Sequence, residues 1–477
     1  MQCIETAIRS MYSKMLLTGL YLLWIVAVCS LFFTIKVNIL EVGLCFVIFS
    51  VFPLWGHVII FPIYYKDGSA FEGFIWGSIL GLALSSFITA VVVYYWGWKL
   101  KYLFMIIFFI PCMLLITLFI KQRLGNTYCK NCGTVSNIVL PIALIIVTIV
   151  FYYPFKNLGV LVDDRHLYAW LFGHDFINRM VHVDSLSRGL PLQSFFFAGE
   201  ILSYYFLAYI YPALIHNIGF IELNIKQILQ ITQIFYSILT VTAVVLFIKY
   251  HANEKRTLLL STILFLCCYS YVGLYNICLA ALCLITGQNV TELFGLKIVN
   301  YSGFSHSIYR HFLVEPQGTL ALAIIILILS LYKKQGSNYS FTIIGILLGM
   351  LFGIEATNGI MLFFWFFIAG IFAIYETSLT KWTIGMKHLY AALCAASIYG
   401  ILFMIQMYDI KTGSKALQLG INKIAILGGP IYFLIIYGPL LIFGFMGSVI
   451  YYKNNDNKNV DCMRNYLILF SIGIFFT

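Results

Sequence analysis

Apolar runs long enough to cross a lipid bilayer recur from one end of this 477-residue chain to the other. The hydrocarbon core of a bilayer is ~30 Å thick and takes about 20 apolar helical residues to cross. With 62% hydrophobic and 10% charged residues, the chain is not a soluble globule of the ordinary kind. We therefore expect an all-α fold, a polytopic membrane helix bundle with about 13 or 14 transmembrane segments.

The expected segments fall on both sides of a polar stretch. We place them at 15–35, 38–64, 71–96, 102–120, 137–154, 200–218, 228–248, 257–285, 317–332, 341–354, 358–375, 386–406 and 425–451, with a last one starting near 465. The last run is short, so we expect the chain to end inside a helix or to be a fragment. Residues 1–135 form one expected group of about four transmembrane helices, and 136–477 form the core.

The net charge of +11 would suggest nucleic-acid binding in a soluble protein. Here Lys and Arg in cytoplasmic loops explain it better, because positive residues stay on that side of the membrane. This rule places the N-terminus inside and the loop at 155–195 outside. It also places Lys249 to Arg256 inside, which demands an odd number of crossings where two apolar runs are seen. Either 200–218 is partly in-plane or broken at Pro212, or this basic loop breaks the rule.

A polar island stands in the loop at 155–195. Between Asp163 and Pro191 it holds four aspartates, three arginines and three histidines. Polar groups beside a bilayer are costly unless they are satisfied, so such a cluster is a hypothesis for a functional site.

The second half of the island has the spacing of an amphipathic helix. Asp175, Asn178, Arg179, His182 and Ser185 share one helical face, and Phe176, Ile177, Met180, Val181 and Val183 take the opposite side. We expect an in-plane helix over 175–187 that ends at Gly189, with Asp184 and Arg188 paired at i, i+4. The alternative is that the polar face of this helix is simply solvated and takes no part in a reaction.

Asp163 and Asp164 precede this helix in an extended or turning segment. Adjacent carboxylates in such a segment point apart, so one could be a catalytic base and the other a ligand. The alternative for Asp164 is the N-cap of a helix that starts at Arg165.

A second polar loop, 286–317, ends directly before an apolar run with Arg310, His311, Glu315 and Gln317. These groups are costly if they face lipid, and the loop is expected on the same side as the island. Interfacial anchoring is an alternative that suits Arg310 but not Glu315. Residues 355–359 interrupt two apolar runs. They form either a tight outer turn or a third part of the cavity that the two polar loops would line.

The chain resembles multi-pass bacterial membrane proteins of the GT-C glycosyltransferase type. The resemblance lies in the Asp-rich loop, then Arg188-Gly189-Leu190-Pro191, Phe197-Ala198-Gly199-Glu200 and the aromatic run 204–209, and in the later Glu315-Pro316-Gln317. It covers about 60 residues around the island and about 15 around Gln317; elsewhere only the many spans agree. Typical members have one span before the acidic loop, so the first four runs here would be an added module on a GT-C-like core.

The resemblance implies transfer of a sugar from a polyprenyl-phosphate donor to a glycan, lipid or protein acceptor at the outer face. That chemistry needs a carboxylate base and cations for the departing phosphate. Asp163, Asp164 and Asp175 are the candidate catalytic residues. The candidate substrate-binding residues are Arg165, Arg179, His182, Arg310, His311, Glu315 and Gln317. Tyr168, Trp170, Tyr204 and Tyr205 could stack on sugar rings, although interfacial belts explain most aromatic residues here.

Two other functions compete with this one. An O-antigen-type polymerase or ligase also acts on lipid-linked glycans from outer loops rich in Arg and His. A transporter would place ionisable residues at mid-membrane depth in broken helices, and few mid-span charges are present.

Cys129 and Cys132 form a lone C-x-x-C, and no second pair follows for a zinc site. No cofactor is certain, a divalent metal ion stays open, and no nucleic-acid partner is expected. The localisation is expected to be the bacterial cytoplasmic membrane.

Overall fold

The computed structural model describes residues 2–64, 70–97, 99, 109–118, 138–158, 160–162, 165–167, 173–190, 192, 205–218, 221–251, 255–267, 315–333, 338–375 and 379–407. In the first half of the chain the helices are α1 (Gln2–Thr34), α2 (Ile39–Val51), α3 (Leu54–Tyr64), α4 (Ala70–Trp96), α5 (Phe109–Leu118), α6 (Val139–Asn157), α7 (Gly173–Arg188) and α8 (Leu207–His216). In the second half they are α9 (Ile225–His251), α10 (Lys255–Cys267), α11 (Pro316–Lys333), α12 (Asn338–Ile354), α13 (Ala356–Tyr375) and α14 (Leu379–Met407).

The chain is a multi-pass integral membrane protein. Among the described residues, six helices are long and apolar enough to cross a bilayer: parts or all of α1, α4, α9, α11, α13 and α14. The predicted polytopic membrane helix bundle is confirmed. Helices α2 and α3 were expected as one span at 38–64; they are bent by 45° at their junction and make a seventh span if counted together. The expected segments at 425–451 and from 465 lie outside the described residues.

Two strands accompany the helices. Strands β1 (Val160–Val162) and β2 (Arg165–Leu167) pair antiparallel, with Val160 opposite Leu167 and Val162 opposite Arg165. The alternative in which Asp164 caps a helix starting at Arg165 is therefore wrong, because Arg165 begins a strand. Pairing with β1 satisfies the backbone groups that a helix would otherwise satisfy within itself.

The described helices form two compact units. The first contains α1 to α9, α10 as far as Thr262 and α11 as far as Leu327. In this unit α3 packs on α4, α1 on α6, α6 on α9 and α7 on α8. That residues 1–135 form a separate group of about four transmembrane helices stays a prediction. In the packing, helices from both sides of residue 135 share one unit, since α1 contacts α6 and α4 contacts α8.

The second unit contains the ends of α10 and α11 and all of α12, α13 and α14. Its helices α12 and α13 both pack on α14. His388 of α14 lies at the centre, where its Nε2 is 3.3 Å from the hydroxyl of Tyr332 and its ring contacts Phe341 and Phe366. Satisfying a buried imidazole this way keeps a polar group tolerable in an apolar core.

Hydrogen bonds at one end of the first unit join turns that are distant in sequence. Gln227 Nε2 donates to the carbonyl oxygen of Lys36 over 3.2 Å. Lys226 Nζ donates to the carbonyl oxygen of Leu158 over 3.3 Å. The turn after α1, the end of α6 and the start of α9 therefore lie together, and we call this end of the unit the α7 end.

The ends of α7 and α8 belong to the same end of the unit. Asn217 Nδ2, just past α8, donates to the carbonyl oxygen of Ser187 over 3.0 Å. At the opposite end the hydroxyl of Tyr250, in the last turn of α9, donates to Glu72 Oε2 over 2.5 Å. Helix α9 thus runs the full height of the unit, from the α7 end to the end that holds the start of α4.

Helix α8 does not cross a bilayer. It has 10 residues with Pro212 inside, so it is about 15 Å long, half of the ~30 Å required. The hydroxyl of Tyr236, in the middle of α9, donates to the carbonyl oxygen of Ala208 over 3.3 Å. The helix therefore begins beside the middle of α9 and returns to the α7 end. Among the described helices between the island and the basic residues after it, α9 alone is long enough to cross, and one crossing is the odd number that the positions of the basic residues demand.

Candidate functional site

Helix α7 buries a mixed face rather than an apolar one. The helix prediction for 175–187 is confirmed by Gly173–Arg188, and the chain leaves it at Gly189 with a φ of +135°, a value that favours glycine. The expected pair of Asp184 and Arg188 is also present. The residues of α7 that are buried follow a helical spacing: Phe176, Arg179, His182, Val183 and Leu186.

This burial corrects the expected division of α7 into a polar and an apolar side. Phe176 and Val183 lie on the same buried face as Arg179 and His182 instead of opposite to them. Met180 is only half-buried. The face turned into the protein thus carries a guanidinium and an imidazole inside an apolar surround, where a charge is costly unless it is satisfied. An orientation of α7 in the membrane plane stays a prediction.

Tyr209 of α8 joins α7 to the start of α11. Its ring lies against the ring of His182, with centroids 5.5 Å apart. Its hydroxyl donates to Gln317 Oε1 over 2.5 Å, a contact between residues 108 positions apart. Two residues that the sequence singled out separately, His182 and Gln317, therefore share one neighbour, and all three side chains are buried.

Helix α9 completes this buried polar region. Gln233 Nε2 donates to Thr319 Oγ1 over 2.9 Å, and Thr240 Oγ1 donates to the carbonyl oxygen of Thr319 over 2.9 Å. We define the Tyr209 cluster by the following residues: Arg179, His182, Tyr209, Gln233, Thr240, Glu315, Gln317 and Thr319. All of them are less than one-tenth exposed.

Sequence reasoning missed the contribution of α9. The available signal was the spacing of Gln230, Gln233, Ser237 and Thr240, which recur every three or four residues and therefore share one helical face. All four are buried. In a membrane helix such a polar stripe turns towards other helices, because lipid offers polar groups no partners. Counting the segment simply as apolar concealed it.

Glu315 sits at the first turn of α11 and is 7% exposed. Its carbonyl oxygen accepts the backbone N–H of Thr319 over 3.0 Å and the Thr319 hydroxyl over 3.1 Å. Pro316 follows at the first helical position, where its missing N–H costs nothing. A carboxylate at a helix N-terminus is stabilised by the helix dipole. This position explains how an acidic group is tolerated at so little exposure.

Burial decides the charge of His182. Burial, and then the neighbouring positive charge of Arg179, lower its pKa from 6.5 to about 3. The imidazole is therefore neutral at physiological pH. It can donate or accept a hydrogen bond, and the cation for an anionic group in this region is Arg179.

The first turns of α8 and α11 meet at mid-height of α9. Gln233 and Thr240 lie about 12 and 22 Å from the start of a helix about 40 Å long. Both bond to Thr319 in the first turn of α11, and Tyr209 bonds to Gln317 in the same turn. Two helix N-termini thus begin inside the unit rather than at its surface.

A recess of about 540 Å³ opens beside the other face of α7. Met180, Val181 and Asp184 of α7 line it, together with His216 at the end of α8 and Asn224, Ile225 and Lys226 at the start of α9. It lies at the α7 end of the first unit. Its walls combine apolar side chains with an acid, an imidazole, an amide and an amine.

The remaining predicted site residues are only partly described. Asp163, Asp164, Arg310 and His311 lie outside the described residues, as do the side chains of Asp175 and Arg165. Arg165 is the first residue of β2, so Asp163 and Asp164 lie between β1 and β2 in the sequence. Of the second-loop residues predicted to share a site with the island, only Glu315 and Gln317 are among the described residues. Of these, Gln317 is linked to the island helix through Tyr209.

The break at 355–359 is a tight turn. The backbone N–H of Glu355 donates to the carbonyl oxygen of Leu351 over 2.7 Å, closing α12. Its carboxylate accepts Asn358 Nδ2 over 2.7 Å, and its carbonyl oxygen accepts the N–H of Gly359 over 3.1 Å. Glu355 thus ends one helix and caps the next, which favours the first of the two interpretations of this break.

Comparison with protein-family models, curated proteins and solved structures finds no match for this chain. Within the described part of the chain, no three His, Cys, Asp or Glu side chains are grouped closely enough to hold a metal ion. Any assignment of function therefore starts from the Tyr209 cluster and the recess.

Proposed function

We propose that the chain is a membrane glycosyltransferase that moves a sugar from a polyprenyl-phosphate donor to an acceptor at the outer face of the membrane. The observation that carries the proposal is the link from His182 through Tyr209 to Gln317. It joins the helix of the acidic loop to the Glu315-Pro316-Gln317 segment, the two parts of the chain that carry the resemblance to GT-C enzymes. Sugar transfer requires the proposed base and the phosphate-binding groups in one site.

In the proposed reaction, Asp163 or Asp164 accepts the proton of the acceptor hydroxyl, with Asp175 as a third candidate. The acceptor oxygen bonds to the anomeric carbon while the bond from that carbon to the phosphate oxygen breaks. The electron pair of the broken bond leaves with the polyprenyl phosphate.

The departing phosphate needs cations close by. Arg165, Arg179 and Arg310 are the proposed cations, because a guanidinium matches the geometry of phosphate oxygens. Neutral His182, together with His311, would hydrogen-bond to the substrate. Glu315 and Gln317 would orient the sugar through its hydroxyl groups. The acceptor is a glycan, lipid or protein, and no metal ion is assigned a role.

The test is sugar transfer in proteoliposomes that contain the full chain. Release of a radiolabelled sugar from polyprenyl phosphate is followed for Asp163→Asn and Asp164→Asn, with Glu222→Gln, an exposed acid, as control. Removal of a catalytic base slows the step by roughly 10²–10⁴-fold, whereas loss of an exposed carboxylate leaves it nearly unchanged. We expect at least one of the two variants to lose activity with unchanged thermal stability. Wild-type rates in both, or an equal loss in the control, would contradict the proposal.

Transport is the second candidate, and a specific observation favours it. Helices α8 and α11 begin at mid-height of α9, and α2 and α3 form a span bent by 45°. Helices that start within the membrane often form the substrate sites of transporters. The same proteoliposomes separate the two candidates. An enzyme breaks the bond between sugar and phosphate, whereas a carrier moves the labelled donor to the other leaflet with that bond intact.

A further inference from the structure

The recess beside α7 has the character of a binding site for an amphiphile. Its volume of about 540 Å³ is in the range of about 300–1,000 Å³ that ligand pockets occupy. Met180, Val181 and Ile225 give it an apolar wall. The polar wall is formed by Asp184, His216, Asn224 and Lys226.

The charges in the recess leave one amine without a carboxylate. Asp184 is paired with Arg188 of its own helix. Lys226 Nζ donates to a carbonyl oxygen, that of Leu158, over 3.3 Å. Within the described part of the chain, no carboxylate lies at ion-pair distance from this amine. A neutral carbonyl does not compensate the positive charge, so the recess favours an anionic ligand.

The surroundings of Lys226 strengthen this preference. Lys226 stands in the first turn of α9, where the helix dipole disfavours a cation. A second lysine, Lys36, has its carbonyl oxygen 3.2 Å from the side chain of Gln227 in the same turn. Of the acids outside the recess lining, Glu41 accepts the backbone N–H of Glu222 over 2.9 Å. A bound anion would offset both the dipole and the local positive charge.

We propose that this recess binds the phosphate group of a membrane lipid. Lys226 is the cation for the phosphate, and Met180, Val181 and Ile225 contact the first carbon atoms of the lipid chain. The recess lies at the α7 end of the unit, where membrane-crossing helices end and lipid headgroups are found. The binding of a lipid phosphate stands without the proposed function; only a preference for polyprenyl phosphate over a glycerophospholipid rests on it.

The test is lipid binding by the full chain in a neutral detergent, followed by native mass spectrometry. The probes are polyprenyl monophosphate, phosphatidylglycerol, phosphatidylcholine and inorganic phosphate. We expect the two anionic lipids to bind, and Lys226→Gln to weaken their binding about tenfold, the effect of one charge-assisted hydrogen bond. The matched control is Lys249→Gln, an exposed lysine at the other end of the same helix.

A second variant, Val181→Trp, fills the recess and keeps the lysine. It is expected to weaken the anionic lipids as well, so the test does not depend on the folding of one variant. Unchanged binding in Lys226→Gln and Val181→Trp, an equal loss in Lys249→Gln, or inorganic phosphate binding as tightly as the lipids would overturn the proposal. Because binding is measured without sugar transfer, its failure is distinct from failure of the Asp163 and Asp164 experiment. Phosphatidylglycerol bound in preference to polyprenyl phosphate would support this site and remove its link to the proposed enzyme.

Discussion

Tyr209 is the residue on which the candidate site depends. Its side chain is fully buried, its ring packs on His182, and its hydroxyl is bonded to Gln317 Oε1. A phenol suits this place because its apolar body fills the core while its tip satisfies a buried amide oxygen. Removing the hydroxyl would leave that oxygen without this donor in a region that water reaches poorly.

We therefore expect Tyr209→Phe to lower the free energy of unfolding by about 1–2 kcal/mol. The measurement is thermal or denaturant unfolding in detergent. Tyr375→Phe is the control, since the Tyr375 side chain is 86% exposed. Equal stability of wild type and Tyr209→Phe would show that the bond to Gln317 contributes nothing to stability.

The low pKa of His182 predicts a dependence of stability on pH. The folded protein keeps this imidazole neutral down to a pKa of about 3, whereas the unfolded chain binds a proton near pH 6.5. Between these values the unfolded state holds more protons. The contribution of neutral His182 to the free energy of unfolding is therefore fully present above pH 6.5. It decreases as the pH falls towards 3, by at most about 1.4 kcal/mol per pH unit.

We expect His182→Gln to flatten the decrease in unfolding free energy between pH 6.5 and pH 4. The measurement is denaturant unfolding at a series of pH values in this window. His251→Gln, at the exposed end of α9, serves as control and should keep the slope of the wild type. If His182→Gln and the wild type decrease in parallel, another group causes the loss of stability in acid.

At the scale of elements, small residues set how closely the membrane helices approach. Gly345 and Gly349 are four apart on one face of α12 and meet Ala391 and Ala395 of α14. A Cβ atom at Gly349 would stand 2.4 Å from Ile398 Cβ and 2.9 Å from the Ala395 carbonyl oxygen. Such close backbone contact supplies the dispersion energy that hydrophobic burial cannot provide between helices in lipid.

We expect Gly349→Ala to destabilise the second unit by about 1–3 kcal/mol through overpacking. Gly400→Ala is the matched control on α14, where a Cβ would meet no atom within 4 Å. It should be neutral or stabilise by up to about 1 kcal/mol, because alanine is the better helix former. Thermal unfolding of both variants measures the difference. A Gly349→Ala protein as stable as Gly400→Ala would mean that the two helices separate without cost.

At the scale of the whole molecule, hydrogen bonds bring turns that are distant in sequence to the same end of the first unit. The turn at Lys36, the end of α6, the end of α7 and the stretch before α9 lie at the α7 end. The link between Tyr250 and Glu72 lies at the other end. Helices α1 and α6 therefore end where α9 begins, and α9 leads back to the other end of the unit.

We predict that cysteines introduced at Lys36 and Glu222 react with an impermeant maleimide from one side, and a cysteine at Arg256 from the other. All three positions are exposed. The measurement uses intact cells and inverted vesicles of a variant whose native cysteines are replaced. Labelling of Glu222→Cys and Arg256→Cys from the same side would mean that α9 does not cross the membrane.

The local properties of the sequence were enough to predict the helices. Apolar length identified α1, α4, α9, α11, α13 and α14, and helical spacing with Gly189 identified α7 and its end. The pair of Asp184 and Arg188 followed from their separation of four residues. These features depend on neighbours within a few positions, because a helix makes its hydrogen bonds within itself and hydrophobicity belongs to each side chain.

Only the tertiary structure decided which elements meet. The half-length of α8 and the inward turn of Arg179 and His182 depend on partners distant in the chain. The bond from Tyr209 to Gln317 spans 108 positions. The polar stripe of α9 has its hydrogen-bond partner in Thr319, which is also distant in the chain. A buried polar group must be satisfied by whichever group is packed against it, and that choice is made by the packing of the whole unit rather than by neighbours in sequence.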